Sequence, residues 1–162
     1  MKSNPTINRR ALLVGLAATP IAMSAVAAAA TESQPKLVVT KDPNCGCCGA
    51  WVDHVRAAGF PVEVVESPEV NRLKVRLGVP QSLASCHTAE VGGYVIEGHV
   101  PADAIKRLLA EKPHAKGLAV PGMPVGSPGM EVDGVENDTY DVVLFGAEGQ
   151  RTFARYRGTR QV

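Results

Sequence analysis

Cys45-Gly46-Cys47-Cys48 falls where one element hands over to another, and that junction limits how the rest of the chain can be arranged. Lys36 to Thr40 (KLVVT) reads as a buried strand, and Asp42-Pro43-Asn44 turns the chain into the cysteines. From Cys48 to Ala58, the apolar residues Trp51, Val52, Val55 and Ala58 recur at helical spacing, and Gly59 is placed to end the helix. Three thiols within four residues imply a task that needs concentrated sulfur. Two tasks do: redox exchange through Cys45 and Cys48, or binding of a soft metal ion. A disulfide exchanger needs two sulfurs, and Cys47 beside them invites mispairing, whereas a thiophilic ion such as Cu(I) gains from each thiolate. Helix N-termini favour anions, so Cys47 and Cys48 are expected to be thiolate-prone.

The elements that follow can be read in turn. Val62 to Glu66 is a short Val-rich strand. Ser67-Pro68 starts a second helix, with Val70, Leu73 and Leu77 on its apolar face and Gly78 as its stop. Ser85 to Val91, the turn Gly92-Gly93 and Tyr94 to Glu97 read as a hairpin. Val100-Pro101 opens a third helix lined by Ile105, Leu108 and Leu109. Lys112 to Glu131 holds four prolines and four glycines with Met123 and Met130, and is expected to be an extended loop. Tyr140 to Phe145 and Gln150 to Tyr156 form a second hairpin about Gly146 to Gly149.

The N-terminus reads as an address. Asn8-Arg9-Arg10 precedes an alanine-rich apolar run from Ala11 to Ala30, the layout of a twin-arginine export signal with small residues for cleavage. A retained membrane anchor fits less well, because alanine gains little on leaving water. Residues 1–30 are therefore expected to be the signal and residues 31–162 a single periplasmic domain with no membrane span. Removing the signal takes away Lys2, Arg9 and Arg10 and no acid, which moves the formal charge from +1 to −2. No basic surface for a phosphate backbone is visible, which argues against a nucleic-acid partner. Four cysteines are too few for a disulfide scaffold, so the sulfur serves chemistry.

The order β-α-β-α-β-β-α, followed by a loop and an added C-terminal β-hairpin, is that of an α/β fold and resembles the thioredoxin fold. That resemblance implies that the strand beginning near Cys86-His87 runs antiparallel to the first strand, which would bring Cys86 to face Cys45, Cys47 and Cys48. Three uses of such a cluster compete. Zinc favours a closed tetrahedron, which the adjacent Cys47 and Cys48 strain. Inert disulfides allow three pairings, two of them joining near neighbours. Cu(I) accepts two or three sulfurs and lets thiolates bridge ions, which suits adjacent cysteines. His87, Met123 and Met130 are further candidate donors. His99 is as well suited to a hydrogen bond as to ligation, His54 and His114 are expected to face solvent, and Trp51 to join the core.

Cys45-Gly46-Cys47-Cys48-Gly49, Ser85-Cys86-His87-Thr88, Glu97-Gly98-His99-Val100-Pro101, and Pro121-Gly122-Met123-Pro124 with Gly126-Ser127-Pro128-Gly129-Met130 together resemble the signature blocks of the CopG-type periplasmic copper-resistance family. The likeness runs over residues 36–157. It implies a thioredoxin-like fold and copper, as Cu(I), held by Cys45, Cys47, Cys48 and Cys86. It also implies a role in copper or silver tolerance by interconversion of Cu(I) and Cu(II). The alternatives are a thiol–disulfide oxidoreductase using Cys45 and Cys48, and a copper chaperone serving a membrane efflux or electron-transfer partner. The third cysteine and the lack of an evident active-site proline set the chain apart from thioredoxins proper.

Overall fold

The computed structural model describes residues 34–162, and the export signal read over residues 1–30 lies outside them. The elements follow as β1 (Leu37–Lys41), α1 (Cys47–Ala57), β2 (Val62–Glu66), α2 (Val70–Leu77), a 3-10 turn (Gln81–Leu83), β3 (His87–Val91), β4 (Tyr94–Glu97), α3 (Ala102–Glu111), β5 (Gly117–Ala119), β6 (Thr139–Gly146), β7 (Gly149–Arg157) and β8 (Arg160–Gln161). All eight strands join one sheet in the order β2-β1-β3-β4-β5-β6-β7-β8. β1 runs parallel to β2 and antiparallel to β3, with Lys41 opposite His87. The residue before β3 therefore lies next to the chain leaving β1. No helix among the described residues is long and apolar enough to cross a membrane.

Alternation along the strands divides the core in two. On one face Leu37, Val39, Ala89, Val91, Ile96 and Leu118 pack with Trp51, Val52 and Val55 of α1 and Ile105 and Leu108 of α3. Full burial of each such aliphatic side chain contributes about 1.5–3 kcal/mol. On the other face Val95, Ala119 and Phe145 pack with Val79 and Leu83, around the end of α2 and the 3-10 turn. His87 turns toward α1, and its neighbour Thr88 turns toward α2, where it meets Lys74.

Three details depart from the sequence-based reading. Lys112 to Glu131 is not a continuous loop, because Gly117–Ala119 forms β5 between β4 and β6 and joins the C-terminal hairpin to the rest of the sheet. Three residues are too few to show alternation, and this strand exists because partners flank it on both sides. Gly117 suits the position because a side chain there would strike the backbone of Val95. His54 is half-buried, and its Nε2 accepts a hydrogen bond from the Ala102 N–H at 3.1 Å. The start of α3 follows Pro101, which has no capping acceptor, so one is supplied from α1. The second helix begins at Val70, with Ser67 Oγ accepting from the Glu69 N–H ahead of it.

Candidate metal centre

Four cysteine sulfurs converge from two segments, each lying within 4.8 Å of the others. Cys45 sits on the turn after β1, where Asp42 accepts hydrogen bonds from the backbone N–H groups of Asn44, at 2.8 Å, and Cys45, at 3.0 Å. Cys47 and Cys48 occupy the first turn of α1. The cap of that helix is Gly46, which offers no side-chain acceptor, so its leading N–H groups are left to the sulfurs. Cys86 lies just before β3, brought there by the antiparallel pairing of β1 with β3. Cys45 and Cys48 form a disulfide, while Cys47 and Cys86 are free thiols. Thiolate character at Cys48 thus requires reduction first, and Cys48 is wholly buried. Cys47 Sγ stands 3.7 Å from Cys45 Sγ and 3.9 Å from Cys86 Sγ.

Two imidazoles flank Cys86. Its Sγ is 3.3 Å from Nδ1 of His87 and 3.1 Å from Nε2 of His99, and the three side chains form a second group of close donors. His99 Nδ1 donates to the Pro128 carbonyl at 2.8 Å, which leaves Nε2 as the unprotonated nitrogen that faces the Cys86 S–H. Burial, and next the adjacent Cys47, push the Cys86 thiol up to about 12. Burial holds His87 well below the usual imidazole range, reinforced by His99 and Lys74. It also lowers His99, against the opposing effect of the hydrogen bond to Pro128. Both rings are therefore neutral at pH 7, the form that donates to a metal. The His87 ring lies under Trp51 with centroids 4.3 Å apart, and its Nε2 is buried without a hydrogen-bond partner among the described residues.

Residues 120–131 fold over this cluster. Ser85 Oγ donates to the Gly122 carbonyl, Pro128 receives His99, and Gly129 lies against the start of α1. Gly129 has φ +84°, and a Cβ there would come within 2.6 Å of Trp51 N, so only glycine brings the loop this close. Within the loop, Ser127 donates through Oγ to the Pro124 carbonyl at 2.7 Å, and the Met130 N–H donates to the Ser127 carbonyl at 2.7 Å. Met123 projects outward, 53 % exposed, with its Sδ 4.0 Å from Cys47 Sγ. Met130 is partly buried in the same loop, and its carbonyl accepts the Gly126 N–H.

The fourth side of the site is a buried ion pair that pattern reasoning did not find. Lys74 Nζ of α2 lies 2.6 Å from Glu97 Oε1 and 2.9 Å from Thr88 Oγ1. Glu97 also accepts the Ser85 N–H at 2.6 Å and the Thr88 O–H at 2.6 Å. This pair holds the Ser85 backbone N–H ahead of Cys86-His87 and the Thr88 side chain behind it. Its carboxylate is spent on those bonds, so the donors that face one another are thiol, thioether and imidazole. Such a set fits a soft ion and suits a hard one poorly. His99, expected to suit a hydrogen bond as well as ligation, makes the hydrogen bond to Pro128 and also brings Nε2 to the Cys86 sulfur.

Residues 83–130 match a family described as a protein of unknown function, DUF411. No curated protein matches the chain. Two solved structures, named copper resistance protein CopG form 2 and form 1, are each 44 % identical to it with TM-scores of 0.72. The alignments cover 76 % and 77 % of this chain and 98 % and 99 % of those proteins. With that identity over nearly the full length of those relatives, and with the four sequence blocks meeting at one site, the chain belongs to the CopG copper-resistance family.

Proposed function

We propose that this protein is an exported, periplasmic Cu(I)-binding protein that acts in resistance to copper, and to silver as a second soft ion. The observation that carries this reading is the convergence of four cysteine sulfurs within 4.8 Å. When reduced, Cys45, Cys47, Cys48 and Cys86 are the ligands, with Met123 beside Cys47 and the imidazoles of His87 and His99 beside Cys86. Met130 supports the loop that carries Met123. Thiolates that share cuprous ions cancel charge which burial alone would penalise. The copper-resistance names of the solved relatives support copper as the metal.

The finer parts of the reading follow. Residues 1–30 direct export by the twin-arginine route, and residues 31–162 are the mature domain. The strand order β2-β1-β3-β4, with α1 and α3 on one face and α2 on the other, supports a thioredoxin-like core extended by the loop and the C-terminal hairpin. A disulfide within the ligand set supports redox conversion of Cu(I) and Cu(II), with an efflux or electron-transfer protein as partner. Anaerobic titration of the reduced protein with Cu(I) against a competing chelator should give more than one ion per chain. Cys47→Ser should lower both the number and the affinity. No uptake, or Cys47→Ser binding like the wild type, would sink the proposal.

The Cys45–Cys48 disulfide favours one second reading, thiol–disulfide exchange with Cys45 as nucleophile and Cys48 as resolving thiol. Cys47 discriminates between the two. Insulin reduction that survives Cys47→Ser, together with unchanged copper tolerance in cells, would favour the exchanger.

A further inference from the structure

With Cys45 and Cys48 joined, the two remaining thiols are neighbours: Cys47 Sγ and Cys86 Sγ are 3.9 Å apart and 39 residues apart in sequence. A disulfide needs about 2.05 Å between sulfurs, so bond formation calls for an approach of roughly 2 Å shared by two side chains. Neither partner is locked in a ladder. Cys86 precedes β3, and Cys47 stands on the first turn of α1, partly exposed. Attack by Cys47 on Cys48 Sγ would join adjacent residues in a strained ring, so its competing choice is attack on Cys45 Sγ at 3.7 Å with Cys48 as leaving group. That exchange would create a thiolate at Cys48, which is wholly buried, whereas direct joining to Cys86 leaves no thiol behind.

We propose that Cys47 and Cys86 are a second dithiol–disulfide couple, so that the site holds four electrons and delivers them one at a time to cupric ions. This inference rests on the copper reading of the same cluster. For each couple, two S–H bonds break and one S–S bond forms. Two electrons pass to two Cu(II), giving two Cu(I), and two protons leave to water. The fully reduced site therefore converts four cupric ions. The three states differ in what they can hold. Four thiols offer the whole cluster. The one-disulfide state described here keeps Cys47 with Met123 and Cys86 with His99, enough soft donors for cuprous product. The two-disulfide state has no thiolate left. Formation of the second bond thus couples the last reductions to release of the ions.

The test is to reduce the metal-free protein fully, then add cupric chloride without oxygen, with bathocuproine disulfonate to count Cu(I). Acid quenching, alkylation and peptide mapping follow. A parallel sample receives diamide in place of copper. The expected result is four Cu(I) per chain, no alkylated cysteine and a Cys47–Cys86 cross-linked peptide in both samples. Cys86→Ser should halve the yield and keep the Cys45–Cys48 link. The Cys45→Ser, Cys48→Ser double variant should also halve it, with Cys47 joined to Cys86. If a variant fails to fold, the wild-type map decides alone. A yield that stops at two with Cys47 and Cys86 both alkylated, or a Cys45–Cys47 link, overturns the proposal. If diamide closes Cys47–Cys86 but the reduced protein takes up no Cu(I), the couple stands and the copper reading fails. If Cu(I) is bound and neither oxidant closes the bond, the copper reading stands and the second couple fails.

Discussion

Replacing Lys74 by methionine removes a cation and keeps most of the side chain's length. The consequences follow from the contacts of Glu97, which is wholly buried and accepts bonds from Lys74, Ser85 and Thr88. Without Lys74 the carboxylate keeps two neutral donors and has lost its only charged partner in this network. Breaking a buried pair from one side costs about 3–5 kcal/mol, because a desolvated charge is left uncompensated. For a domain of this size, that lowers the melting temperature by about 10–20 °C at roughly 4 °C per kcal/mol. Lys74→Met with Glu97→Gln should recover most of the loss, since the neutral amide can accept the Ser85 N–H through its oxygen and donate through its nitrogen to Thr88 Oγ1. The double-mutant cycle should give a coupling energy of about 2–4 kcal/mol. Ser85 adjoins Cys86, so the single variant should also alkylate faster at Cys86 with the Cys45–Cys48 disulfide intact. Thermal unfolding of the four proteins, followed by circular dichroism, is the assay. A loss below about 1 kcal/mol in Lys74→Met, or additive losses in the double variant, would refute the claim that this pair fastens the Cys86 segment.

Three further results are expected. Cys86 keeps its proton in the folded state where the unfolded chain has lost it, so its contribution to stability is whole below about 9 and is lost as pH rises toward about 12. The difference in melting temperature between the metal-free, one-disulfide wild type and Cys86→Ser should change in that window, and a flat difference would contradict the burial of this thiol. Gly129→Ala places a methyl group against Trp51 N at a positive φ and should cost more than about 1 kcal/mol. It should also weaken Cu(I) binding by lifting the loop, and a variant that melts and binds like the wild type would show that the loop does not depend on this approach. Met123→Leu with Met130→Leu conserves bulk and removes both thioethers. Lower Cu(I) affinity or faster reoxidation is expected, and no change in affinity, reoxidation rate or potential would exclude the loop from the site.

What was legible in this chain was what a single segment encodes. The strand before Cys45, the helix after it and the Gly92-Gly93 hairpin each carry their own periodicity or turn chemistry, and each stands within a residue or two of its expected span. The meeting of Cys86 with the first motif was also legible, because one antiparallel pairing, β1 with β3, was enough to predict it. β5 was not, since three residues held from both sides carry no pattern of their own. His54 was misjudged because its partner is the unsatisfied start of another helix. Lys74 was hidden for a similar reason. The apolar face read on α2, Val70, Leu73 and Leu77, does turn inward, and Lys74 lies on that same face and is buried with it, while Val75 is 79 % exposed. A lysine turned inward is explained by the acid it meets, and Glu97 lies 23 residues away on another element.

Lys74, Glu97 and the loop act on one point of the site. The sulfurs of Cys45, Cys47 and Cys48 lie on the turn after β1 and the first turn of α1, within four residues of one another, so their spacing is set locally. Cys86 has no such support and is positioned from two sides. From α2, Lys74 holds Glu97, and Glu97 holds the Ser85 N–H. From the loop, the Ser85 side chain is bound to Gly122, and Pro128 orients His99 against the Cys86 sulfur. The separation between Cys47 and Cys86 is therefore governed by a buried ion pair on one side and a glycine- and proline-rich loop on the other. Perturbing either should change how readily those two sulfurs share an ion or a bond, while the Cys45–Cys48 pair, set within four residues, keeps its own geometry.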